Sequence, residues 1–107
     1  MARSLKPTRP SSFDLGFEHG AEADEDPSAC EMNSRVPEYK LGYVLGRSYQ
    51  EAVRNASHIA LAIVAGELGV RFGVGKSELI DALRIPATHE RHIHDAYSGA
   101  GASDERR

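Results

Sequence analysis

The chain has 107 residues, with 13 Lys and Arg against 16 Asp and Glu, five His and a formal net charge of −3. That length supports one small domain, and the charge total makes no demand for a nucleic-acid partner. Cys30 is the only cysteine, which excludes an intrachain disulfide, and the longest apolar run, IALAIVA at 59–65, is far short of the roughly 20 residues of a membrane span.

With no hydrophobic segment behind Arg3, the expectation is a cytoplasmic protein, neither secreted nor inserted in a membrane. Residues 1–12 (MARSLKPTRPSS) carry three bases, two prolines and no acid, and read as a disordered basic arm. Residues 13–23 (FDLGFEHGAEA) predict a short helix, with Ser12 as N-cap and Asp14 near the positive end of its dipole. The acidic stretch 24–37 has a proline near each end and reads as a connector.

From Pro37 onward, Leu41, Leu45, Tyr49, Ala52, Ala56, Ile59, Ile63, Gly66 and Val70 follow at steps of three or four, which predicts one long amphipathic helix. Beyond Ala60 that helix is apolar nearly all round, so it must be covered on more than one side. A glycine-rich break at 69–75 precedes a last helix at 77–85 (SELIDALRI), which Pro86 helps to stop. Residues 86–107 show no sustained period and read as a flexible, His-containing tail. The expected fold is therefore all-α: a single helical domain over 13–85, with a short N-terminal helix packed on a long central helix, a short C-terminal helix and disordered ends.

One short pattern occurs twice. LGFEHG at 15–20 returns as LGYVLG at 41–46, placing Gly16, Phe17 and Gly20 in register with Gly42, Tyr43 and Gly46. Glycine inside a helix costs roughly 0.5–1 kcal/mol relative to alanine, so two such pairs require an offsetting gain. Residues four apart share a helix face, so each pair clears a flat strip on which a second backbone can rest.

These two glycine and aromatic segments, joined by a polar connector containing Cys30 and followed by Tyr39 and YQEA at 49–52, resemble the ribosome modulation factor family. The resemblance covers residues 13–54. It implies a small regulator of translation that occupies a ribosomal surface. On that reading Arg3, Lys6 and Arg9, with Arg47 and Arg54, would supply the RNA contacts, since phosphate recognition needs cations.

The remaining motifs point elsewhere. Residues 70–77 (VRFGVGKS) approach a phosphate-binding loop, but Val70 stands where its first glycine belongs. Residues 65–85 have the outline of a helix-turn-helix, in which Arg71, Lys76, Ser77 and Arg84 would face DNA; Glu78 and Asp81 offset Lys76 and Arg84. His89, His92 and His94 cluster in the tail as weak candidates for metal binding, although a structural site would need ligands from other segments. No nucleophile, base and orienting group can be assembled from the pattern, and no cofactor motif is present, so the expectation is a non-enzyme without a cofactor. Three readings of function follow: a regulatory protein on the ribosome or another macromolecule, a DNA-binding transcriptional regulator using 65–85, and a helical adaptor for a protein partner. In each, self-association through the helix at 41–70 would cover its apolar face.

Overall fold

The computed structural model describes residues 11–105, and every regular element among them is an α-helix. In chain order these are α1 Ser12–Glu22, α2 Ala29–Asn33, α3 Pro37–Asn55, α4 His58–Phe72, α5 Lys76–Leu83 and α6 Ala87–Glu105. No helix among the described residues is long and apolar enough to cross a membrane.

The boundaries follow local chemistry. Ser11, not Ser12, is the N-cap of α1, accepting from the Asp14 backbone N–H. Within the acidic connector, Ser28 and Glu31 form a reciprocal capping box that nucleates α2, and α2 places Met32 in the core. Pro37 starts α3, where its missing N–H costs nothing.

The expected long central helix is two helices. It breaks at Ala56, which adopts a left-handed conformation (φ 51, ψ 46), and Ser57, which caps α4 through the Ala60 backbone N–H. The chain reverses there, so Tyr43 near the start of α3 meets Phe72 at the end of α4 edge-on, with ring centroids 6.0 Å apart. The apolar period runs unbroken through this turn, but its phase does not. Leu61, Ala62, Ala65, Leu68 and Phe72 are the apolar α4 side chains buried in the core, whereas Ile59 and Ile63 remain 46% and 41% exposed.

The tail also differs from expectation, for its described part is α6. Ile93 is fully buried, His92, Ile93 and Ala96 lie against Gly66, and the Tyr97 hydroxyl donates to the Val74 carbonyl at 2.6 Å. Much of the apolar excess of α4 is thus covered from within the chain, by α3 on one side and α6 on another. Between them, Gly73 ends α4 in a left-handed turn (φ 75), and α5 adds Leu79 and Leu83 to the core.

Candidate interaction surface

The two glycine pairs meet each other. Helices α1 and α3 run in the same direction: Phe13 and Phe17 lie against Gly42, and Phe17 and Ala21 lie against Gly46. A Cβ on Gly16 would strike the Tyr39 carbonyl oxygen and stand 3.0 Å from the Tyr43 nitrogen. A Cβ on Gly42 would strike the Phe13 carbonyl and stand 2.9 Å from the Phe17 nitrogen. Gly20 on Tyr43 and Arg47, and Gly46 on Phe17 and Ala21, repeat the arrangement one turn later.

Every contact thus has its counterpart 26 positions along the chain, as Gly16 has Gly42 and Phe13 has Tyr39. The pair therefore has a local pseudo-two-fold relation. Backbone-to-backbone approach of this kind supports dispersion and weak Cα–H···O contacts that any larger residue would prevent. The aromatic rings close the edges: Phe17 reaches Tyr49 at 5.8 Å between centroids, and His19 Nδ1 and the Tyr39 hydroxyl are hydrogen-bonded at 2.6 Å. At the end of α1, the Gln50 side-chain nitrogen is shared among the carbonyls of Gly20, Ala21 and Ala23, of which Gly20 also accepts the Ala23 backbone N–H.

An ionic clasp lies beside this pair. Asp26 Oδ1 accepts from the Tyr43 hydroxyl at 2.8 Å and from Arg47 Nε at 3.0 Å, while Arg47 Nη1 donates to Glu51 Oε2 at 2.8 Å. Burial, and then the Asp26 hydrogen bond, push the Tyr43 phenol well above its ordinary value. Burial alone would lower Arg47, but the Glu51 hydrogen bond and the two carboxylates raise it; the same Arg47 hydrogen bond holds Glu51 below the usual glutamate range. Asp26, Tyr39 and Tyr43 also wall an open cleft of about 670 Å³, with Glu25, Glu31 and Arg35 on it and the Arg35 guanidinium 4.5 Å over the Tyr39 ring. The cleft is predominantly polar, and Asp26, Tyr39 and Tyr43 on it are each hydrogen-bonded to another side chain.

A second depression has the opposite character. Tyr49, Ala52, Val53, Ala56 and Leu61, with Ser57 and His58, line an apolar groove of about 380 Å³ at the turn between α3 and α4. It lies beyond the end of α1, whose last carbonyls reach only as far as Gln50. Val53 is 83% exposed on its rim. A β-branched apolar side chain held so far into water gains nothing from folding, so this groove offers apolar surface for a partner to cover.

Among the described residues, the cations proposed for nucleic acid are spread over three elements, Arg47 and Arg54 on α3, Arg71 on α4, and Lys76 and the C-cap Arg84 on α5. Arg47 is committed to Asp26 and Glu51, and Arg54 lies 3.5 Å from the same Glu51. Arg71 is exposed at the end of α4, Lys76 opens α5 half-buried, and Arg84 is the exposed left-handed C-cap of α5. Arg3, Lys6 and Arg9 lie outside the described residues. His89, His92 and His94 are on α6, His94 being 3.8 Å from Glu90, and among the described residues no three His, Cys, Asp or Glu converge as metal ligands.

Sequence reasoning missed Asp26, Gln50, Val53 and Tyr97. Asp26 sits among neighbouring acids with nothing local to distinguish it, and its role arises only when the connector folds back against α3. Val53 stands beside the expected stripe, and its exposure depends on where α1 ends.

Residues 10–100 match the model of a family described as "Protein of unknown function (DUF2623)", and the chain belongs to that family. No curated protein and no solved structure matches it. Membership in this family replaces the resemblance to ribosome modulation factor, which rested on residues 13–54 alone. Glycine and aromatic residues at this spacing are what a close helix pair demands, so the pattern reports packing rather than descent.

Proposed function

We propose that this member of the DUF2623 family is a non-enzymatic helical adaptor that binds a protein partner through the groove between α3 and α4. The observation that carries the reading is the 83% exposure of Val53 on a rim shared with Tyr49, Ala52, Ala56 and Leu61. Apolar side chains on a concave surface suit the apolar face of a partner helix or loop, which removes water from both. The polar cleft supports no comparable reading, because Asp26 and Tyr43 bond each other and Tyr39 bonds His19.

A photoreactive amino acid at position 53 in living cells tests the proposal. Adducts with one recurrent protein, competed away by untagged chain, would support it. Adducts spread evenly over abundant proteins, or none, would overturn it.

One observation favours DNA as a second reading: the turn between α4 and α5 is only Gly73–Gly75, short enough for a helix-turn-helix. The eight-residue α5 presents Glu78 and Asp81 as well as Lys76, a balance that gives phosphates little to bind. Fluorescence anisotropy with random-sequence duplex at low salt decides it, since the absence of binding there removes this reading.

A further inference from the structure

We propose that α1 is an exchangeable helix: residues 11–26 of one copy dock on α3 of a second copy, which returns the same segment, giving a reciprocal dimer. The inference is independent of the groove and of its partner.

The first ground is that α1 packs on α3 and on no other helix to a comparable extent. Its side chains bond in the same direction, His19 to Tyr39, while Gln50 of α3 takes its terminal carbonyls. Asp26, just beyond α1, is likewise tied to α3 through Tyr43 and Arg47. Met32, six residues later, belongs to the core made by the other helices. Residues 11–26 therefore form a unit with one docking site, and the chain can change direction at Pro27 and Ser28 without dividing that unit.

The second ground is that the docking site is already occupied and its selectivity is visible. Gly42 and Gly46 admit a parallel helix only if glycines stand opposite, because a Cβ on either side meets backbone. The segment that fulfils this in the closed chain is α1, and a second copy offers the same α1. An exchanged dimer keeps every one of these contacts and alters only the hinge, the condition under which domain exchange has a low cost.

The third ground is reach. Because α1 and α3 run in the same direction, residues 23–36 must return along α1, a distance of about 16 Å for its 11 residues. Asp26 stays tied to α3 and Met32 to the core, so the segment free to open is residues 27–31, about 16–18 Å when extended, which passes α1 to a copy packed directly beside this one. The closed form has the advantage of high effective concentration, and raising protein concentration during refolding shifts the balance to exchange.

The test uses the full chain. Equal amounts of ¹³C-labelled and unlabelled protein are unfolded together, refolded at the concentration NMR requires, and separated by size. We expect a dimer fraction whose isotope-filtered NOESY shows contacts between chains for Phe17 with Tyr49 and His19 with Tyr39, ring pairs 5.8 and 5.6 Å apart by centroid. A purely monomeric product overturns the inference, and so does a dimer in which these contacts stay within one chain, as one joined through the Tyr49–Leu61 groove would show. Gly46→Leu blocks the docking face and should abolish the exchanged dimer; a dimer of unchanged yield in that variant also overturns it.

Discussion

Single atoms decide most at Gly42 and Gly46. By helix propensity alone, Gly46→Ala should stabilise α3 by about 1 kcal/mol. In the folded protein its new Cβ meets the Phe17 carbonyl and the Ala21 nitrogen, atoms that cannot rotate away. The packing loss outweighs the propensity gain, and urea denaturation should show a net loss of about 1–3 kcal/mol. Ala56 is the opposite case, an L-residue held at φ 51. Left-handed geometry costs about 1–2 kcal/mol there, and glycine returns all of it less about 0.5–1 kcal/mol of added unfolded-state freedom. Ala56→Gly should therefore raise stability by about 0.5–1 kcal/mol in the same assay. Glu51 sets a pH dependence, since the Arg47 hydrogen bond depresses its folded value below the ordinary 4.5. Its contribution is complete above that value and is lost as pH falls through the lower, folded one, with Arg47 charged throughout. Glu51→Gln should flatten the acid limb of the stability curve, measured by urea midpoints from about pH 6 to about pH 3.

At the scale of elements, α6 is the helix that periodicity did not reveal. Its amphipathic signal is weak because residues 96–105 are mostly Ala, Gly and Ser, yet Ile93 in its first half is fully buried. Ile93→Ala should cost about 2–5 kcal/mol, read as a fall in thermal midpoint with the far-UV signal of the folded state retained. A flexible tail would make that substitution silent. The break between α3 and α4 has a related cause. Neither Gly nor Pro marks it, and the turn depends on Ser57 as a cap and on two helices having more surface to bury folded back than end to end.

For the whole molecule, one core joins Met32 from the connector, Tyr43 and Leu45 from α3, Phe72 from α4, Leu79 and Leu83 from α5 and Ile93 from α6. Among the described residues, Val36, the groove and the outward edge of α4 at Ile59 and Ile63 expose large apolar side chains. Val53 contributes no core contact, so Val53→Asp should leave the urea midpoint within about 0.5 kcal/mol of the parent. The same substitution should abolish capture of the protein partner by a tagged chain. A large loss of stability would show that Val53 serves the fold, contrary to the adaptor reading.

The sequence by itself determined the helical class, the start of α3 at Pro37, the turn residues around Gly73 and the two flat glycine strips, because each rests on backbone preference or on spacing within a few residues. It also contained the four glycines in matching register. That they face one another in parallel, with the connector returning between them, was decided by the tertiary structure. So were the reversal at Ala56, the burial of Ile93 and the exposure of Val53. Each depends on surfaces brought together from distant parts of the chain, and a hydrophobic period states that a face will be buried without stating by what.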